Sequence, residues 1–284
     1  MIRDIAERIR RGRVDLQNPY AYLSSEGGYE ALVPRRARAT ALIGMGDVLK
    51  GRNRGRPFKR LEIERIVRNL HTEMWRGRAE IFEFEDEVDP MQILDPEVAL
   101  RSLGYTVIIR ESLGQHLAGK DSFEVAGTVD NSARKVEISR RFVPAIRNFT
   151  TAHELGHAVL HEGSGLHRDR GLDGASIGPR DSREVEADTF ASYFLLPEKQ
   201  VRLAFRNRFL TEKFRLTDTT VFALNSRSVR DLQERGCSER DLARMLAAAE
   251  YYNGVHFKSL SGRFGVSVEV VAIRLEELGL VTVG

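Results

Sequence analysis

The sequence predicts an α+β fold: a small, mostly antiparallel sheet packed on a buried helix, followed by a helical C-terminal lobe. Three observations carry this reading. Short β-branched runs cluster between residues 105 and 139. Apolar residues at helical spacing lie on both sides of them. From Arg183 onward the chain reads as a succession of helices broken by tight turns.

Taken in order, Ile2–Arg11 and Arg36–Leu49 suit short helices, and residues 51–57 suit a linker. Ile63, Ile66, Val67, Leu70 and Met74 share one helical face, and that helix should stop near Gly77. Asp95-Pro96 is an N-cap followed by proline at the first helical position, and Gly104 ends the helix it starts. Tyr105–Arg110, Phe123–Val129 and Lys135–Ser139 are strands, the last two joined by the turn-forming Asp130-Asn131-Ser132. Glu124–Val129 is a candidate edge strand that could receive a peptide by β-addition. A helix follows over Pro144–His161 and ends at Gly163 and Gly165. Further helices cover Arg183–Leu196, stopping before Pro197, and 198–210. Leu260–Val281 reads as helix, tight turn at Gly265-Val266-Ser267, and helix.

Composition narrows the class. With 42% apolar and 30% charged residues, the chain is suited to a globular fold, and its 284 residues can bury one large core or two smaller ones. No apolar run approaches the roughly 18 residues that a membrane span needs. The N-terminus has no apolar core of a secretory signal, so the expected location is the cytoplasm. Cys237 is the only cysteine, which excludes an internal disulfide. Residues 1–60 hold 14 Lys/Arg against 6 Asp/Glu, whereas residues 80–89 carry six acidic side chains in ten. These are either solvated surfaces or, for the basic stretch, a contact for nucleic acid, where cations displace counterions from phosphates.

Chemistry concentrates in TTAHELGHAVLH, residues 150–161. In a helix, residues four apart share a face, so His153 and His157 aim two imidazoles at one point. That spacing suits Zn²⁺, which takes histidine nitrogens at about 2.0–2.1 Å. Glu154 lies beside that point, placed to accept a proton from water. Apolar Leu155, Ala158, Val159 and Leu160 put the motif on a buried helix. A catalytic zinc needs a third ligand, and Glu184 supplies it, with Asp188 one turn on as hydrogen-bond acceptor for a ligand histidine. Glu186 competes for the ligand role but points about 200° around the helix from Glu184. His161 is on the histidine stripe, where it either steadies the site or a substrate or simply ends the helix near its C-terminal dipole. His167 and Tyr193 are candidate oxyanion donors. Cys237 is a candidate removable zinc ligand, or a plain thiol in a polar turn.

HELGH, then roughly thirty residues, then ExxxD-x-FA and Leu195-Leu196-Pro197, resembles the ImmA/IrrE family of bacterial and phage metallopeptidases. The tail SLSGRFGVSVEVVAIRLEELGLV (259–281) is similar to that family's helix-turn-helix-like segment. The resemblance covers about 90–281 and implies a zinc endopeptidase that cuts a helix-turn-helix transcriptional repressor. Such cleavage induces a stress, mobile-element or antiphage-defence response. It implies His153, His157 and Glu184 as ligands and Glu154 as general base. Family members often have Asn where Asp188 stands. The expected division is a basic N-terminal extension over 1–60, a zinc metallopeptidase domain over 61–210 and a helical lobe over 211–284. Single-stranded DNA is an expected activator if the basic extension senses nucleic acid. The alternative is a metal-containing module that binds the repressor, or DNA, without cutting. Against DNA reading, Val268–Leu278 carries Glu269, Glu276 and Glu277 and only one basic residue, Arg274.

Overall fold

Every residue from Phe149 to Leu160 is buried, so the helix that carries them lies inside the molecule. The structure is a computed structural model that describes residues 41–54, 56–82, 88–118, 121–162, 167–170, 181–224 and 237–283. The helix expected over Ile2–Arg11, and most of the basic extension, lie outside these residues. Within 36–49, helix α1 covers Met45–Leu49. Next come α2 (Arg60–Arg76), the single turn α3 (Arg78–Ile81), a 3₁₀ turn at Gln92–Leu94 and α4 (Pro96–Ser102). The strands β1 (Thr106–Arg110), β2 (Gln115–Ala118), β3 (Asp121–Asp130) and β4 (Lys135–Ser139) lead into the central helix α5 (Pro144–Leu160). After β5 (His167–Arg170) the chain forms α6 (Ser182–Leu195) and α7 (Glu198–Phe209).

The local reasons are those legible in the sequence. Asp95 accepts hydrogen bonds from the Glu97 and Val98 amides at 2.8 and 3.3 Å, with Pro96 in the first turn. Gly104 at φ +85° then turns the chain into β1. In the β3–β4 turn, Asp130 Oδ1 accepts from the Ser132 and Ala133 amides, both at 2.9 Å. Pro144 starts α5 with no amide to leave unpaired.

The sheet has the order β1-β4-β3-β2, with β5 also paired to β3. All pairings in it are antiparallel except β1 with β4. This corrects the reading of Glu124–Val129 as an edge strand. Gly127–Asp130 pair with β4, while Val125 and Gly127–Val129 pair with β5. β3 is therefore an interior strand, and no peptide can add to this stretch. β5 supplies the unexpected neighbour. Its register with β3 shifts between Val125 and Gly127, a bulge of one residue at Ala126.

Helix α5 packs beneath β3 and β4 on one side and along α6 on another, and α2 lies against α6. One apolar core runs from Ile43 to Val281 and includes Ile63, Leu70, Val136, Leu155, Phe190, Phe205 and Leu275. It continues into the later elements: β6 (Phe214–Arg215), α8 (Asp218–Ala223), α9 (Glu239–Ala248), the β7–β8 hairpin (Tyr251–His256), α10 (Leu260–Phe264), α11 (Val268–Glu277) and β9 (Val281–Thr282). Ser259 and Ser267 cap α10 and α11, and Gly265 at φ +64° turns the chain between them. These helices are tied back to the core. Asn148 of α5 donates to Gly265 O at 3.0 Å, and Arg274 Nε donates to Leu196 O at 3.1 Å. No helix among the described residues is long and apolar enough to cross a membrane.

One partly buried group, whose ring Nε2 is enclosed, sets an acid limit on this fold. His71 of α2 packs its ring 4.7 Å from that of Phe194. Burial pushes its pKa down to about 4, against a hydrogen bond with the Phe194 backbone. The unfolded chain takes the proton near pH 6.5, before the folded one does. Stability is thus complete above that pH and falls as the pH drops toward 4, by about 3 kcal/mol in total. His71→Leu is expected to flatten this stretch of the curve, read as urea midpoints at pH 7 and pH 4.5. An unchanged difference between the two midpoints would exclude His71 as its source.

Candidate active site

The helix α5 presents His153 and His157 on one face, four residues apart, and α6 runs beside it. Gly156 makes the approach close. A Cβ there would stand 3.1 Å from Ala187 Cα and 3.2 Å from Ala187 O. That contact sets Glu184, one turn before Ala187, against the histidines. His153 Nε2 lies 3.0 Å from His157 Nε2 and 3.2 Å from Glu184 Oε2, and His157 Nε2 lies 3.4 Å from Glu184 Oε1. A tetrahedral ion with bonds of about 2.0–2.1 Å holds its donors about 3.3 Å apart, so this cluster has the span a zinc-sized ion requires. Among the described residues, His153, His157 and Glu184 are the group that could hold a metal. The imidazoles are 2% and 1% exposed, whereas the Glu184 side chain is 36% exposed and leaves that flank open.

Electrostatics agree with a cation-binding cluster. Burial works to raise the Glu184 pKa, but hydrogen bonds and charge from His153 and His157 hold the carboxyl far below the ordinary carboxylate range. On the far side of His153, Nδ1 stands 2.9 Å from Asp188 Oδ1. Helical spacing of four sets Glu184 and Asp188 on the same side of α6.

Glu154 is fully buried and faces β3. A Cβ on Gly127 would come within 2.7 Å of Glu154 Oε1 and 2.6 Å of Thr150 Cγ2. The bare glycine beside the bulge therefore makes the room in which the carboxylate sits. Gly127→Ala is expected to push the carboxylate aside while leaving the metal ligands untouched. A displacement near 1 Å costs about 10²-fold in rate. Unchanged zinc content with turnover reduced on that order is the outcome to look for, by metal analysis and steady-state kinetics.

Other candidates separate clearly. Glu186 does not join the cluster. It meets His161 Nε2 at 3.1 Å and accepts the Phe58 amide at 3.1 Å. His161 in turn stands 2.9 Å from His157, Nδ1 to Nδ1. Tyr193 lies under the Arg274 guanidinium, 4.4 Å away, and belongs to the junction with α11 rather than to the histidines. Cys237 contacts Ser238 O at 3.7 Å, and burial together with Asp241 pushes its thiol pKa up, which disfavours the thiolate a zinc ligand needs. The side chain of His167 lies outside the described residues. Spacing alone missed Gly127 and Gly156, whose sequence signal is a glycine inside an otherwise regular strand or helix.

No curated protein matches the chain. Residues 104–218 match the family model Peptidase_M78, described as the IrrE N-terminal-like domain. The matched stretch contains β1, the sheet, α5 and α6, and so every residue of the cluster. The family is one of metallopeptidases, which act on protein substrates. Over residues 104–218 the chain thus matches the IrrE N-terminal-like domain of Peptidase_M78, in agreement with the ImmA/IrrE family that its motifs resemble.

Proposed function

We propose that the protein is a zinc-dependent endopeptidase of the cytoplasm that cleaves a helix-turn-helix transcriptional repressor and so induces a stress, mobile-element or antiphage-defence response. The observation that carries the reading is the convergence of His153 and His157 of α5 with Glu184 of α6, with Glu154 beside the two histidines on α5. Three nitrogen and oxygen donors with one open flank are the donor set of a catalytic rather than a closed structural site. A bound zinc ion would supply Lewis-acid chemistry and lower the pKa of water toward about 7.

The chain's own residues divide the remaining work. His153, His157 and Glu184 would hold the ion, and Asp188 accepts a hydrogen bond from His153 Nδ1–H and so fixes that ring's tautomer. Glu154 accepts a proton from the attacking water and returns it to the leaving amine, with its carboxylate held in the space beside Gly127. The peptidase domain spans 61–210 in this reading, and the lobe over 211–284 packs on it through its helix-turn-helix-like pair α10 and α11, at Asn148–Gly265 and Leu196–Arg274. Reading of DNA by α11 is disfavoured. Its one basic side chain, Arg274, is 5% exposed and committed to Leu196 O and Glu277. Glu269 and Glu276 are held by Arg240 and Arg244. Single-stranded DNA as an activator rests on the basic residues of 1–60 alone.

The test is intact-mass analysis of the repressor encoded beside this protein, incubated with the zinc-loaded full chain, with and without single-stranded DNA. A discrete fragment pair that disappears with chelator is the expected result. Fragments that appear only with DNA would add the activator. An intact repressor in all conditions, with zinc bound, would favour a metal-containing module that binds its repressor without cutting it.

A further inference from the structure

The two histidines of the cluster are braced differently. His153 has a one-step brace, Asp188, whose side chain is 26% exposed. His157 has a longer and fully buried one. Its Nδ1 meets His161 Nδ1 at 2.9 Å, His161 Nε2 meets Glu186 Oε2 at 3.1 Å, and Glu186 Oε1 accepts the Phe58 amide at 3.1 Å. His157, His161 and Glu186 are only 1%, 3% and 6% exposed.

We propose that His161 and Glu186 are positioning residues for His157, and that the Phe58 amide, at the end of the Arg-rich segment 51–58, anchors this string. The inference rests on the metal reading above. With its Nε2 lone pair turned to the cluster, neutral His157 must carry its proton on Nδ1. That N–H donates to His161 Nδ1, which leaves the His161 proton on Nε2. The His161 Nε2–H then donates to Glu186 Oε2, while Oε1 receives the Phe58 amide. Glu186 accepts at both oxygens, and every link in the string has a single polarity. Outer partners of this kind set the orientation and basicity of a ligand histidine.

The backbone reinforces the same groups. The His161 amide donates to His157 O at 3.1 Å, and Asn131 Nδ2 donates to His161 O at 3.1 Å. Arg54, three residues after the start of segment 51–58, donates to Ala158 O at 3.4 Å, next to His157 on α5. The two glutamates of α6 therefore straddle the histidine helix. Glu184 reaches the Nε2 side directly, and Glu186 reaches the Nδ1 side of His157 through His161. A leucine at 186 would fill the space, but it would remove the carboxylate that the His161 Nε2–H and the Phe58 amide meet.

The experiment measures zinc affinity of the full chain by competition with a chromophoric chelator. His161→Phe keeps the ring and removes both links. Glu186→Gln turns an amide N–H toward one of two donors. Each is expected to weaken zinc binding by about 10–100-fold. His161→Gln is the rescue. Its carbonyl can accept from His157 and its amide can donate to Glu186, so affinity should return most of the way to wild type. Circular dichroism of the apoproteins checks that each variant is folded. In zinc-loaded wild type, ¹⁵N shifts should place the His157 proton on Nδ1, a readout that needs no variant. Wild-type affinity in both His161→Phe and Glu186→Gln would overturn the string alone. So would a His157 that binds zinc through Nδ1. Wild-type protein that binds no zinc would overturn the metal reading and the string with it.

Discussion

Replacing Glu154 with Gln is expected to leave one zinc per chain and to lower repressor cleavage by about 10²–10⁴-fold, the usual contribution of a general acid–base. Two observations separate the residue's task from metal binding. The three convergent donors are His153, His157 and Glu184, and Glu154 is not among them. Its carboxylate instead occupies the space beneath Gly127. Glutamine fits that space with the same heavy-atom shape but cannot take a proton from water at neutral pH. Loss of rate therefore reports the proton transfer and not the fold. Metal content by mass spectrometry and the rate of fragment formation are the two measurements. Cleavage at the wild-type rate with zinc retained would remove Glu154 from the role. Loss of zinc together with activity would instead make it a support of the ligands.

The helix that bears this chemistry was legible because several sequence signals coincide on it. Pro144 starts it, histidines at 153 and 157 share a face, and Leu155, Ala158, Val159 and Leu160 bury it. The choice of Glu184 over Glu186 followed from helical angle alone, and the two carboxylates do lie on different sides of the histidines. What spacing could not give is what depends on distant pairing. β5 reads His-Arg-Asp-Arg, with no apolar alternation, so nothing in it announced a strand. Its placement beside β3 turned a supposed edge into an interior strand. The string from His157 to Phe58 joins residues 58, 157, 161 and 186, and only its His157–His161 step, four residues apart, follows a local pattern. Arg274 looked like the one basic contact of α11, but its guanidinium is buried over Tyr193. A charge count along the helix could not reveal that.

Gly156→Val is expected to reduce zinc affinity by two orders of magnitude or more, because it sets the distance between α5 and α6. An added Cβ meets Ala187 Cα at 3.1 Å and Ala187 O at 3.2 Å, and these are backbone atoms that retreat only if α6 itself moves. Glu184 stands one turn from Ala187, so any retreat carries it away from His153 and His157. Overpacking of this kind costs about 1–3 kcal/mol, and the two further methyl groups of valine deepen it. Alanine is the informative intermediate. It gains about 0.8–1 kcal/mol of helix propensity over glycine, which offsets much of the strain. Gly156→Ala should consequently melt close to wild type and yet bind zinc more weakly. If the interhelix distance governs the site, zinc affinity falls steadily from Gly to Ala to Val while the melting temperature does not. Both measurements use the apoprotein and a zinc titration. Affinity that follows melting temperature across the three proteins would show that Gly156 serves the stability of the helix pair and not the placement of Glu184.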